Sequence, residues 1–194
     1  MANDDMIMLK DVRVSFPHLF TPPTINGEEG SCGAVLMLEP KRHSGDIGAI
    51  EDGIAELERA KFKGRKLPSD KKCLREGVDK GRPEYDGYMV VSANCRDTPI
   101  VIGTDGRSVV KDEKESKIYA GCYVNAKIRL WAQDNQYGKR ANAELVAIQF
   151  CRDGEPLDGT YVSVDDAIDG FDDATDGFDG RAAANDDDDD FMAA

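Results

Sequence analysis

Apolar and polar residues alternate or cluster over several short stretches of the chain, and each stretch is bounded by residues that favour turns. β-branched and apolar residues dominate these stretches, as is typical of β-strands in small all-β domains. Pro17 follows the first stretch and is expected to end it. The predicted strands occupy residues 6–16, 32–38, 87–94, 100–102, 120–132 and 141–150.

One segment has the spacing of an amphipathic helix instead. Ile47, Ile50, Ile54 and Leu57 recur every three or four residues between about 46 and 62, and Phe62 extends the stripe. Ser44 stands where an N-cap is expected, and acidic residues crowd the first half of the segment. The pattern predicts a helix that packs one stripe of its surface on the sheet.

These elements indicate a mainly β fold with one or two helices. Short antiparallel strands with a helix inserted between the early ones favour a small barrel of five or six strands, and the OB-fold is the leading candidate. The pattern supports one such domain over residues 1–162.

The composition changes from about Asp165, where Asp, Gly and Ala dominate. The sequence Asp-Gly-Phe-Asp occurs at 169–172 and again at 176–179, and an unbroken acidic run follows at 186–190. Such a segment cannot bury enough apolar surface to offset the entropy of ordering it. Residues 163–194 are therefore predicted to form a disordered acidic C-terminal tail.

The tail also explains the net charge of -13, which at first argues against a nucleic-acid partner. Residues 163–194 hold 12 acidic residues and one basic residue, a net charge of -11. Residues 1–162 carry a net charge of only -2, and their basic residues are clustered. The global charge therefore does not exclude binding to nucleic acid.

The predicted strand at 120–132 has two chemically different faces. Positions 122, 124, 126, 128 and 130 are apolar and suit a core. The opposite face alternates aromatic or polar groups with cations. Aromatic rings that stack on any base, beside cations that follow phosphates, are what a nonspecific single-strand binder requires. The candidate residues on this face are Tyr123, Asn125, Lys127, Arg129 and Trp131.

A second basic feature lies between residues 59 and 82, where ten basic residues meet three acidic ones. Gly and Pro interrupt the segment, so it is predicted to be an exposed basic loop that neutralises phosphates. A run of charge is often only a solvated surface, but two basic features beside an acidic tail form a coherent set. The candidate contacts are Lys61, Lys63, Arg65, Lys66, Lys71 and Lys72.

Other chemistry has little support in the sequence. The five cysteines are far apart, with no Cys-x-x-Cys pair, and the two histidines lack a nearby second ligand. Phosphate-binding and nucleophile motifs are absent, so no catalytic residue, metal or cofactor is predicted. The cysteines are expected to be small buried hydrophobes in a reducing compartment. With no apolar run long enough for a membrane span, the protein is expected in the cytoplasm, away from membranes.

Several blocks together resemble the OB-fold single-stranded-DNA-binding proteins of tailed bacteriophages. These blocks are Val12-Arg-Val-Ser-Phe-Pro-His-Leu-Phe20, the strand and helix over 34–60, Tyr119-Ala-Gly-Cys-Tyr-Val-Asn-Ala-Lys-Ile-Arg-Leu-Trp131, and residues 147–155. The resemblance covers most of residues 6–160. It implies a non-enzymatic protein that coats single-stranded DNA during phage replication or recombination, in the cytoplasm of the host cell.

The tail is similar to those of bacterial and phage single-strand binders, in which an acidic run ends in a phenylalanine that docks on replication and repair proteins. The corresponding residues here are Asp186, Asp187, Asp188, Asp189, Asp190 and Phe191. Because Met192, Ala193 and Ala194 follow, Phe191 does not carry the terminal carboxylate. Docking that depends on that carboxylate is therefore not implied.

The expected partners are single-stranded DNA and, through the tail, replication or recombination proteins. Double-stranded DNA becomes an expected ligand when the tail is removed, because a basic surface attracts the phosphates of either form. Two alternatives stay open: a scaffold that acts through its acidic tail, and an accessory protein of a nuclease or recombinase. The sequence leaves homo-oligomerisation and the number of nucleotides bound undecided.

Overall fold

A computed structural model describes residues 6–157 of the chain. The predicted acidic tail at 163–194, including Phe191 and the acidic run before it, lies outside the described residues. The strands are β1 (Met6–His18), β2 (Thr24–Ile25), β3 (Glu28–Glu29), β4 (Gly33–Leu38), β5 (Leu74–Glu76), β6 (Met89–Asn94), β7 (Ile100–Ile102), β8 (Val109–Val110), β9 (Tyr123–Asn135) and β10 (Gly138–Arg152), with the helix α1 (Ser44–Lys61) between β4 and β5.

Five of these strands form a closed barrel in the order β6-β4-β1-β9-β10, and β10 returns to pair with β6. Four of the pairings are antiparallel, as predicted, whereas the closing contact between β6 and β10 is parallel, with Ala93 opposite Ala143. β10 is long enough to pair with β6 through its first part and with β7 through residues 147–149. The fold is thus the predicted OB-fold-like barrel with a single α-helix.

The barrel interior is filled by the inward side chains of the five strands. Val14, Leu36, Val91, Ile128 and Leu145 are all 0–1% exposed, and each comes from a different barrel strand. Burial of such side chains contributes about 1.5–3 kcal/mol each. The core therefore fixes which face of each strand points outward.

The helix α1 packs against this core by the predicted stripe. Ile50 and Ile54 are buried, and Ile47 and Leu57 are partly buried against the same cluster. The predicted cap is wrong, because the N-cap residue is His43 and not Ser44. His43 is buried and joins two segments: its Nδ1 accepts from the Glu39 N–H (3.0 Å), which leaves Nε2–H to donate to the Lys10 carbonyl (3.2 Å).

All six predicted strands are present, with different ends. β1 continues past Pro17 to His18. β9 starts and ends three residues later than predicted, and β10 is longer than predicted, because both strands continue into their shared hairpin. Four short strands, β2, β3, β5 and β8, were not predicted. Strands of two or three residues are too short to produce a periodic pattern.

Four of the five cysteines are buried, as predicted, and all five are free thiols. Burial raises the pKa values of Cys73, Cys95 and Cys122 to about 11. Cys151 differs from the prediction because it is exposed, one residue before the end of β10. The buried thiols therefore behave as small core side chains.

The basic segment 59–82, predicted as an exposed loop, is instead held against the barrel along much of its length. It contains the end of α1, two 3-10 turns (Ser69–Lys71 and Gly77–Lys80) and β5. Phe62, Leu67 and Cys73 are buried in the core. The Cys73 N–H also donates to the Ala141 carbonyl on β10 (2.8 Å). These single hydrophobic residues, spaced among the cations, hold the segment against the barrel.

A buried carboxylate secures the same segment. Glu58 lies on the inner side of α1 with 3% of its side chain exposed, and it accepts a hydrogen bond from the Leu67 N–H (2.8 Å). Lys66 Nζ and Lys72 Nζ lie 3.2 and 3.3 Å from its two oxygens. Burial by itself would raise the pKa of Glu58, but the Leu67 and lysine contacts outweigh it, so the pKa lies below its ordinary value.

We predict that Glu58→Gln lowers the free energy of unfolding by about 1–3 kcal/mol at neutral pH, because it removes a charged acceptor from a buried hydrogen-bonded cluster. Urea unfolding monitored by circular dichroism measures this difference. Glu56→Gln is the matched control, since Glu56 is exposed on the same helix and pairs with exposed Arg59.

The same comparison predicts a pH dependence. A carboxyl whose pKa is lowered by folding stabilises the protein fully above its unfolded pKa of about 4.3 and loses that contribution as the pH falls through the folded value. The difference between the wild-type protein and Glu58→Gln should therefore shrink at pH values below about 4. A difference that stays constant from neutral pH to pH 3 would contradict this role of the Glu58 carboxylate.

Candidate nucleic-acid interface

β9 has the two faces that the sequence predicts. Val124, Ala126 and Ile128, and Cys122 just before the strand, are 0–1% exposed and point into the barrel. The residues between them point outward, and all of them are partly or fully accessible. β9 pairs with β1 along one edge and with β10 along the other, so its outward side chains lie at the centre of a three-stranded surface. The structure thus brings together the candidates at 123, 125, 127, 129 and 131 on one face.

Trp131 is the more accessible of the two aromatic residues on this face. Its side chain is 44% exposed, and it lies opposite Asn142 on β10. Asn142 donates to Gln133 Oε1 (3.0 Å), which fixes the polar groups beside the indole.

Tyr137, 76% exposed, occupies the turn between β9 and β10 and was not among the predicted site residues. Its position in a turn gave no periodic signal, although an exposed aromatic residue is itself unusual.

The two cations of this face have different surroundings. Arg129 Nε donates to Glu144 Oε2 on β10 (2.9 Å), and the two groups form an ion pair. Lys127 has no ion pair with any residue in the described part of the chain. Its neighbours across the strands are Met8 on β1 and Ala147 on β10. Lys127 therefore offers a positive charge that no described carboxylate neutralises.

An apolar row crosses the sheet beside Lys127. Met8 on β1 and Ile100 on β7 are exposed, and Ala147 lies between Lys127 and Ile100 in the strand register. A shallow cleft of about 280 Å³ is lined by Met8 and Ala147 of this row and by Lys127. The sequence pattern did not reveal the row, because its members come from three strands whose register is set by the tertiary fold.

Asn125 is committed to hydrogen bonds within the sheet. Its Oδ1 accepts from the Asp11 N–H (3.0 Å), and its Nδ2 donates to Gln149 Oε1 (3.0 Å). Gln149 in turn donates to the Gly103 carbonyl (3.0 Å). This chain of bonds links β1, β9, β10 and the loop after β7, so it stiffens the centre of the face.

Tyr123, at the start of β9, is partly covered. The guanidinium carbon of Arg152 lies 3.5 Å from the centre of its ring. Gly154 approaches the ring closely as well, since a Cβ atom at that position would fall 2.9 Å from Tyr123 Cε2. Arg152 also pairs with Asp11, which forms a second ion pair with Arg42. No local sequence pattern revealed this group, because Asp11, Arg42 and Arg152 are far apart along the chain.

The basic segment borders the opposite end of the same face. Lys72 bridges to Ala141, whose antiparallel partner is Ala132, the residue after Trp131. Lys139 of the hairpin lies over the Phe62 ring at 5.2 Å. The segment and the Trp131 end of β9 are therefore neighbours in space.

The six predicted cations of this segment fall into two groups. Lys61, Lys63 and Arg65 are exposed and form no ion pair with any described residue. Lys66 and Lys72 face Glu58, and Lys71 pairs with Asp70 (3.4 Å). The first group offers uncompensated charge, whereas the second is engaged within the fold.

The described residues hold no cluster of His, Cys, Asp and Glu side chains that could bind a metal ion. Within residues 6–157, no helix is both long and apolar enough to cross a membrane.

Comparison with known proteins places the chain in a family. Residues 5–191 match the family model described as the single-stranded-DNA-binding protein of Enterobacter phage Enc34. Protein p50 of Acyrthosiphon pisum secondary endosymbiont phage 1 is 32% identical over 175 residues, which span 84% of this chain and 92% of that protein.

Solved structures agree with this result. The Enc34 single-stranded-DNA-binding protein in complex with single-stranded DNA has a TM-score of 0.71 and 30% identity, over 80% of this chain and 90% of that one. A second structure of the Enc34 protein has a TM-score of 0.72 and 30% identity, over 86% of this chain and 92% of that one. The family is one of binding proteins, and the chain is not an enzyme. The predicted resemblance is confirmed: the chain belongs to the phage single-stranded-DNA-binding proteins represented by that of Enterobacter phage Enc34.

Proposed function

We propose that this protein binds single-stranded DNA without sequence preference through the outward face of β9. The observation that carries the proposal is the exposure of Trp131 on the same strand face as Lys127, a cation with no described ion pair. A relative of 30% identity has been solved with single-stranded DNA, which supports the same ligand here.

The chemistry of the face accounts for the lack of sequence preference. Every base has a flat π surface, so stacking on Trp131 discriminates little between bases and contributes about 1–3 kcal/mol. Phosphates are the same at every nucleotide, and Lys127, Lys61, Lys63 and Arg65 supply the cations that follow them. Among the predicted contacts, Lys66, Lys71 and Lys72 contribute less, because acidic side chains already neutralise them.

We further propose that the protein acts in phage DNA replication or recombination, in the cytoplasm of the host cell. The tail at 163–194 competes with DNA for the basic surface, and Asp186 to Phe191 recruit other replication proteins. Charge supports the competition, since a net charge of -11 on a tethered segment is a local polyanion at high effective concentration. Only the fraction of molecules with a free surface can then bind DNA.

The first test is Trp131→Ala, which should weaken binding to oligo-dT by about 1–3 kcal/mol and binding to oligo-dA by a similar amount. Fluorescence anisotropy of a labelled oligonucleotide measures both, because the variant loses the chain's single tryptophan. Trp131→Phe retains an aromatic ring and should therefore lose less affinity than Trp131→Ala. Equal affinities for a correctly folded Trp131→Ala protein and the wild-type protein would remove Trp131 from the site.

The second test separates the two cations of β9 by salt dependence. Lys127→Gln should lower the magnitude of the slope of log K against log salt by about 0.7, the value for one phosphate contact on a single strand. Arg129→Gln should change it less, because Glu144 already pairs with Arg129. Glu144→Gln, which frees Arg129, should steepen the slope. Equal effects of Lys127→Gln and Arg129→Gln would contradict this assignment.

The third test removes residues 163–194. Without the competing polyanion, binding to single strands should tighten, most at about 20 mM salt, where the Debye length exceeds about 20 Å. Binding to duplex DNA should also become detectable. A full-length variant with Asp186 to Asp190 replaced by Asn keeps the length of the tail and should tighten binding partway. Equal affinities of all three proteins at low salt would rule out competition and leave the tail as a docking segment for other proteins.

A further inference from the structure

We propose that Arg152, held over Tyr123 by Asp11, is a stacking surface for a nucleobase and not a phosphate contact. This inference rests on the proposed function and adds to it a second base-binding position, at the end of β9 opposite Trp131. By the rise of about 3.4 Å per strand residue, positions 123 and 131 lie about 27 Å apart.

The guanidinium group is supported from below by an aromatic ring. Its central carbon lies 3.5 Å from the centre of the Tyr123 ring, a distance at which a flat cation rests on a π face. Gly154 approaches the same ring, and Arg13 secures that segment by donating to the carbonyls of Gly121 (3.2 Å) and Glu155 (2.5 Å). The Tyr123 ring is therefore partly covered, with Gly154 close to its Cε2 atom and Arg152 over one face.

Asp11 fixes the edge of the guanidinium group. Arg152 Nε lies 2.8 Å from Asp11 Oδ1, and Nη2 lies 3.3 Å from Oδ2. Asp11 stands at a register shift in β1, with a φ of 52°. It is itself held in place, because its N–H donates to Asn125 Oδ1 and its carboxylate pairs with Arg42. Burial alone would raise the pKa of Asp11, but the hydrogen bonds and charges of Arg152 and Arg42 lower it, so the carboxylate stays ionised at neutral pH.

This arrangement leaves one surface of Arg152 available. The side chain is 47% exposed, while one edge is occupied by Asp11 and one face rests on Tyr123. The outer face of a guanidinium plane is weakly hydrated and stacks on bases. A group whose charge is already paired with a carboxylate releases few counterions when DNA binds. Base stacking is thus the contact that this geometry favours.

The test compares Arg152→Lys with the wild-type protein on two ligands, oligo-dT and an abasic deoxyribose-phosphate oligomer of equal length. Lysine keeps the charge and can still pair with Asp11, but it has no plane. We expect about tenfold weaker binding to oligo-dT with an unchanged salt slope, and unchanged binding to the abasic oligomer. Arg96→Lys, at an exposed position in the loop after β6, is the matched control and should alter neither affinity.

A second variant should change the affinities for the two ligands in opposite directions. Asp11→Asn keeps a residue type that tolerates positive φ and removes the carboxylate that orients Arg152. Affinity for oligo-dT should fall, whereas affinity for the abasic oligomer should rise because one negative charge is lost. Thermal unfolding of both variants checks that the fold is retained.

Three outcomes overturn the inference. If Arg152→Lys binds oligo-dT as tightly as the wild-type protein, Arg152 does not stack on a base, since its charge alone suffices for binding. An equal loss on both ligands would assign Arg152 to phosphate. A rise in affinity for both ligands in Asp11→Asn would do the same. If the wild-type protein itself fails to bind oligo-dT, the proposed function falls first, and that result is distinct from these three.

Discussion

The pairing of β9 with a neighbour on each edge is the constraint on which the rest of the molecule depends. β9 is bonded to β1 over residues 123–129 and to β10 over nearly its whole length. Because Val124, Ala126 and Ile128 on its inner side are buried, a shift of register by one residue would bring Lys127 and Arg129 into the core. The cost of burying those charges fixes the outward face. The same constraint sets the rows of side chains that cross from β1 to β7.

Local pairing decides which charges of the chain are available to a ligand. Near Trp131 the cations of the basic segment outnumber their described partners, since Lys61, Lys63 and Arg65 have none. Glu58 engages two lysines of the same segment, and elsewhere Glu144 and Asp11 each engage at least one cation. A count of lysines and arginines along the sequence therefore overstates the charge that phosphates would meet. What matters is the subset that the fold leaves uncompensated.

The sequence predicted those features that depend on short spacings. The alternation at 122–131 identified both faces of β9, and the stripe from Ile47 to Leu57 identified the buried side of α1. The basic segment was misjudged, because the anchors that dock it are the single residues Phe62, Leu67 and Cys73, and a buried acid on the preceding helix. The Asp11 and Arg152 pair spans 141 positions, so no local pattern could reveal it.

The two ends of the outward face differ in a way that follows from these pairings. The Trp131 end carries an exposed indole and borders the basic segment, in which Lys61, Lys63 and Arg65 form no ion pair with a described residue, so stacking and charge act together on a strand bound there. At the Tyr123 end the aromatic ring lies under Arg152, whose own charge is matched by Asp11. On the proposed function, salt would weaken contacts at the first end more than at the second, because only unpaired cations release counterions from DNA. A strand bound across β9 would therefore detach first from its Trp131 end as salt rises, while a base stacked on Arg152 stays in contact.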